Sequence, residues 1–163
     1  MQDIISRLRA KKDDEGFTLI ELLVVVVIIG VLVAIAVPVY LNYREGAADK
    51  SAQSDVRGAI SAIEQFYSKN GNKYPDKVEG ANDGSNTGKE ALDLKEGTNP
   101  PDGSITLSEN TALGYVPTNN GNSYLICAHN EGGGDDVWYL YDSNAGGSVK
   151  EVKSTTMDTN DCT

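Results

Sequence analysis

Histidine and cysteine are nearly absent: His129 is the single histidine, and Cys127 and Cys162 are the two cysteines, of 163 residues. With one imidazole, no Gly-x-Ser-x-Gly turn and no paired-histidine helix motif, the sequence offers no nucleophile with its base. His129 reads as a surface or strand-end residue, and neither a catalytic residue nor a cofactor is expected. No glycine pattern of the phosphate-binding kind follows a strand, and Gly132-Gly133-Gly134 reads as a flexible turn. Positive charge is scarce too. Lys and Arg number 14 against 24 Asp and Glu, a net charge of −10, which favours solubility and argues against general nucleic-acid binding.

Metal ligands are equally thin. Two thiols with only His129 nearby lack a fourth zinc ligand and a compact spacing. Asp135 with Asp136, or Asp76 with Glu79 and Asp83, are candidate oxygen ligands for calcium, but their spacing is not that of an EF-hand loop. Acids in exposed loops are usually solvated, and no metal site is expected. On the outer side of a membrane, the even pair Cys127 and Cys162 is most simply a disulfide. Closing a loop of about 35 residues would stabilise the fold by roughly 3 to 4 kcal/mol on the chain-entropy account.

What is present is a long apolar run. From Leu22 to Leu41 there are twenty consecutive residues without a charge, enough to cross a hydrocarbon core of about 30 Å as a helix rising about 1.5 Å per residue. Glu21 stands at its entrance. A carboxylate inside a membrane helix is costly and by default a functional feature, although near a helix end it can also reach out to the interface. Arg7, Arg9, Lys11 and Lys12 precede the run closely, whereas only Arg44 and Lys50 follow it shortly. This asymmetry leaves the first residues cytoplasmic and the C-terminus outside. Ala34, Ala36 and Val37 only weakly imitate a secretory cleavage site.

Gly16-Phe17-Thr18-Leu19-Ile20-Glu21, followed by this helix, resembles the class III signal of type IV pilins and pseudopilins. The resemblance covers about Gly16 to Tyr43. It implies that a prepilin peptidase cuts after Gly16, that Phe17 becomes an N-terminus open to N-methylation, and that Glu21 is the carboxylate required for assembly. The physics agrees: a free α-amine on Phe17 and the Glu21 of a neighbouring copy are each costly alone in lipid and far less so as a pair. Residues 1–16 are accordingly read as a leader, 17–43 as a transmembrane and polymerisation helix, 44–70 as its amphipathic continuation, and 71–163 as a head with a connecting loop, a β-sheet and the C-terminal disulfide region.

Along the chain, one helix is expected from about Phe17 to Ser68. Thr18 and Glu21 have capping-box spacing, with the membrane role the stronger explanation of Glu21. Gly30 and Ala34 would let another helix approach closely, and Pro38 should kink or loosen the helix, unless both are simply tolerated there. Ala48, Ala52, Val56, Ala59, Ile60, Ile63, Phe66 and Tyr67 recur at helical spacing, with the charged residues mostly elsewhere. Asn70-Gly71 supplies the stop, and Asn70 to Pro75 repeats an Asn-Gly-x-x-Tyr-Pro pattern that resembles many pilins and pseudopilins. Residues 77–103 read as a long connecting loop with one helical turn near Glu90 to Leu94.

Five short strands follow, around Ile105–Leu107, Leu113–Val116, Tyr124–Ala128, Val137–Tyr141 and Val149–Val152. The Tyr124 and Val137 strands form the best hairpin, and their aromatic residues read as cross-strand core pairs in preference to an adhesive surface. The fold class is therefore α+β: a long N-terminal helix, membrane-spanning in its first half, packed against a small antiparallel sheet. The function expected from the resemblance is that of a structural subunit polymerising into a type IV pilus for adhesion, motility or DNA uptake. Its partners would be its own copies, the prepilin peptidase, the membrane before assembly, and the assembly platform with its ATPases. A pseudopilin of a type II secretion or competence system is the alternative. A tethered binding module comes third, since a plain anchor has no use for Glu21.

Overall fold

The computed structural model describes residues 17–85 and 89–163. The leader reading of residues 1–16, including Gly16, lies outside the described residues. The chain divides into two units after Tyr40, and the helix α1, Leu19–Lys69, contributes to both.

In the first unit every described residue is exposed on all sides of the helix, Phe17, Leu23, Ile28 and Ile35 among them. The segment is long and apolar enough to cross a membrane. Helical assignment runs unbroken through Pro38, and the space beside Gly30 is open. The helix starts at Leu19, two residues later than the apolar pattern suggests, because Thr18 acts as its cap.

In the second unit α1 buries Ala52, Val56, Ala59, Ile63 and Phe66, a stripe at three- and four-residue intervals. Asn70 and Gly71 end the helix as expected: Gly71 takes φ +65°, and the Asn72 N–H donates to the Tyr67 carbonyl at 3.0 Å, the main-chain closure that a glycine in this conformation permits.

The stripe packs on a five-stranded antiparallel sheet with strand order β1-β4-β5-β6-β7. The strands are β1 Val78–Asn82, β4 Thr111–Thr118, β5 Ser123–Asn130, β6 Val137–Asp142 and β7 Lys150–Lys153. Two further strands, β2 Ala91–Asp93 and β3 Ser104–Thr106, form a separate pair. The inner face of the large sheet supplies Leu113, Tyr115, Tyr124, Ile126, Ala128 and Tyr139; the small pair and its flanks supply Leu92, Leu94, Ile105 and Leu107. The architecture is α+β, one long N-terminal helix against an antiparallel sheet.

Residues 77–103 are not the connecting loop expected. They hold β1 and β2, and the Glu90–Leu94 turn is extended. Leu92 and Leu94 are both buried with Asp93 exposed between them, which is the two-residue period of a strand and not that of a helix. Strand β1, Val-Glu-Gly-Ala-Asn, has little strand propensity of its own. It is held by pairing along β4, with Gly80 opposite Leu113, and a Cβ on Gly80 would meet Leu92 Cδ2 at 2.6 Å.

Candidate functional site

The N-terminal site is built on the first turn of α1. The Thr18 N–H donates to Glu21 Oε2 at 2.8 Å and the Thr18 hydroxyl to the same oxygen at 2.7 Å. In return the Glu21 N–H donates to Thr18 Oγ1 at 3.2 Å. This closed capping box accounts for the carboxylate within the single chain, so Thr18 has a role beyond the spacing read from the sequence. Phe17, Ile20, Val24 and Val25 form an apolar surface around Glu21. A carboxylate set in such a surface, beside Phe17, can accept a cation brought by another chain.

The head carries no comparable chemistry among the described residues, where no group of three or more His, Cys, Asp or Glu is gathered to hold a metal ion. Of the acids singled out as calcium candidates, Asp76 accepts the Gly97 N–H at 2.7 Å, and Asp83 accepts the Ser85 N–H at 2.9 Å. Three tyrosines cluster around buried Tyr124, with Tyr115 buried and Tyr74 and Tyr141 half-buried. Tyr124 has ring centroids 5.1 Å from Tyr74, 5.6 Å from Tyr115 and 5.9 Å from Tyr141. Glu64 accepts the Tyr124 hydroxyl at 2.7 Å. Burial, then the Glu64 carboxylate, pushes the Tyr124 phenol well above its ordinary range. Burial also raises Tyr115, and it pushes Tyr139 up to about 12.

Four tethers join α1 to the rest of the head, two to loops and two to β5, and the charge pattern alone did not separate their three acids from solvated ones. Asp49 accepts the Gly134 N–H at 3.0 Å, so the Gly132–Gly134 turn is anchored to the helix and not the flexible loop expected. Asn130 Nδ2 donates to Ser51 Oγ at 3.2 Å. Asp55, only 9% exposed, accepts the Ser108 N–H at 2.8 Å and the Ser108 hydroxyl at 2.9 Å. Glu64 is the fourth. A signal was available for Asp55, which lies directly beside Val56 in the stripe that Ala52 and Ala59 bracket.

The outer face of the sheet carries the disulfide. Cys127 on β5 is bonded to Cys162, with Cα atoms 5.5 Å apart, and Trp138 packs with them. His129, one residue from the end of β5, is half-buried against Trp138 with ring centroids 4.3 Å apart. Its Nδ1 is buried without a hydrogen-bond partner among the described residues. Burial lowers the imidazole below its ordinary range, with Glu131 opposing.

The family profile described as "Prokaryotic N-terminal methylation motif" matches residues 11–37. Among curated proteins, the type II secretion system core protein G of Aeromonas hydrophila is 36% identical over 70 residues, 43% of this chain and 48% of that protein. The type IV major pilin protein PilE1 of Neisseria gonorrhoeae is 40% identical over 62 residues, 38% of this chain and 37% of that protein. The type IV major pilin protein PilA of Myxococcus xanthus is 36% identical over 63 residues, 39% of this chain and 28% of that protein. The similarity thus spans half or less of these relatives. No solved structure matches this chain.

Proposed function

We propose that this chain, which carries the N-terminal segment shared by type IV pilins and pseudopilins, is a structural subunit that polymerises through α1 into an extracellular type IV pilus. The observation that carries the reading is Glu21, a carboxylate in an otherwise fully apolar and exposed helix surface. In this proposal a prepilin peptidase cuts between Gly16 and Phe17, and Phe17 is the N-methylated terminus. Its amine then meets the Glu21 carboxylate of an adjoining copy, displacing the Thr18 cap. Each charge alone is costly in lipid, so docking of a second copy relieves both. The precursor is a single-pass inner-membrane protein with residues 1–16 on the cytoplasmic side. The assembly platform and its ATPases extract the processed subunit, and adhesion, motility or DNA uptake belong to the fibre.

The similarity to type II secretion core protein G supports a second reading, a pseudopilin in a short secretion or competence fibre. The C-terminal disulfide favours the pilin. The two readings share the Glu21 pairing. Glu21→Leu is expected to give processed, membrane-held protein without fibres. Abundant sheared filaments from that variant would refute the pairing.

A further inference from the structure

We propose that Asn120 is a site of spontaneous backbone chemistry, at which the folded chain converts Asn120-Gly121 into an aspartyl or isoaspartyl linkage. The sequence holds two Asn-Gly steps, Asn70-Gly71 and Asn120-Gly121. In both, the second residue has no side chain to keep its backbone nitrogen away from the asparagine Cγ. The fold treats them oppositely.

Asn70 is locked at the end of α1. Its Nδ2 donates to the Phe66 carbonyl at 3.0 Å and to Asp102 Oδ2 at 3.2 Å. Its own N–H donates to the Phe66 carbonyl at 2.9 Å, and the Asn72 N–H to Tyr67 O closes the turn behind it. Turning the amide towards Gly71 breaks this set.

Asn120 stands exposed at the tip between β4 and β5, and among the described residues no hydrogen bond holds its side-chain amide. The bonds at the tip pass over it: the Asn122 N–H and Nδ2 donate to the Asn119 carbonyl at 3.2 and 3.0 Å. Asn119, Asn120 and Gly121 take φ of 51°, 55° and 81° in succession, a left-handed run in a region that non-glycine residues populate sparsely. Its chain neighbours aside, none of the described residues lies within 4 Å of a Cβ placed on Gly121. The ladder ends below the tip at Thr118 opposite Ser123, whose hydroxyls meet at 2.8 Å. The tip can therefore rearrange without opening the sheet.

In the reaction, hydroxide removes the Gly121 N–H proton and the nitrogen attacks Asn120 Cγ. A C–N bond forms, the Cγ–Nδ2 bond breaks, and Nδ2 leaves with a proton from water as ammonia, giving a five-membered imide. Water then opens the imide. Cleavage of the new bond leaves aspartate; cleavage of the original main-chain bond leaves isoaspartate. Nothing is oxidised or reduced, and one negative charge is gained on a surface cleft that the tip shares with Tyr74, Asp76 and Lys77.

The test is peptide mapping by mass spectrometry of the purified full chain, aged in mildly alkaline buffer, with isoaspartyl methyltransferase labelling as a second readout. The Asn120 peptide is expected to gain about one dalton and to accept methyl groups. Its rate should exceed that of the Asn70 peptide about tenfold or more, since two side-chain hydrogen bonds must break at Asn70. In Asn120→Gly, which keeps the backbone freedom of the tip, the signal should vanish there while the Asn70 peptide ages as before. Equal rates at the two steps in the folded chain, or reaction at Asn120 only after unfolding, would overturn the proposal. The chemistry needs only the fold of the head, so its outcome is independent of fibre assembly.

Discussion

Gly114 and Thr159 touch through their main chains: a Cβ on Gly114 would stand inside the Thr159 carbonyl. Gly114 lies opposite Cys127 in the β4–β5 register, and Cys127 is bonded to Cys162 three residues beyond Thr159. The C-terminal segment is thus seated on a strand position that only glycine leaves open.

Gly114→Ala must push that segment off the sheet. The expected cost is about 1 to 3 kcal/mol, the range for overpacking against a backbone that cannot yield. Urea unfolding followed by Trp138 fluorescence measures it, and thiol labelling should show Cys127 and Cys162 more readily reduced. Unchanged stability with an unchanged disulfide would mean the segment is not seated there.

Asp55 is the one buried acid of α1, and both of its oxygens are taken by Ser108. Asp55→Ala leaves the Ser108 N–H without its acceptor and should cost about 1 to 3 kcal/mol. Ser108→Ala removes only the hydroxyl bond and should cost about 1 kcal/mol. The double variant should lose less than the two single losses added together. Strict additivity would show that the two residues do not act as a pair.

Stability should fall at both ends of the pH scale for separate reasons. Burial lowers His129, so the unfolded chain takes up a proton near pH 6.5 while the folded chain resists. The stability present above that pH is lost as pH falls through the folded value. His129→Phe keeps a ring on Trp138 and should flatten this acid slope. At the other end Tyr115, Tyr124 and Tyr139 are all raised. Their contribution is whole below the ordinary phenol value of about 10 and is lost as pH climbs beyond it. Denaturation midpoints measured across the range check both arms, and a His129→Phe variant with the parent's acid slope would contradict the first.

Much of this fold can be read from residue spacing. The Ala52 to Phe66 stripe, the Asn70-Gly71 stop, the Tyr124 and Val137 strands and the Cys127–Cys162 pair each carry a local signal in period, turn chemistry or composition. Strand β1 carries none, because its identity comes from pairing with β4 and from the room Gly80 leaves for Leu92. The extended form of Leu92-Asp93-Leu94 was legible in its two-residue period, but the neighbouring Glu90 and Ala91 suit a helix equally well. At the candidate site Glu21 stands out by charge alone. Thr18 is legible by its capping-box spacing to Glu21, and the reciprocal hydrogen bonds between the two bear that spacing out. Asp49, Asp55 and Glu64 look like solvated charges until the sheet and its loops are brought against them.

The central claim is that a carboxylate held in apolar surroundings is matched by the terminal amine of another copy. Electron microscopy of sheared surface material, with N-terminal sequencing of its principal protein, tests this most directly. The account predicts fibres whose subunit begins at Phe17. Fibres whose subunit still begins at Met1 would contradict it, because no amine would then stand beside Phe17 to meet Glu21.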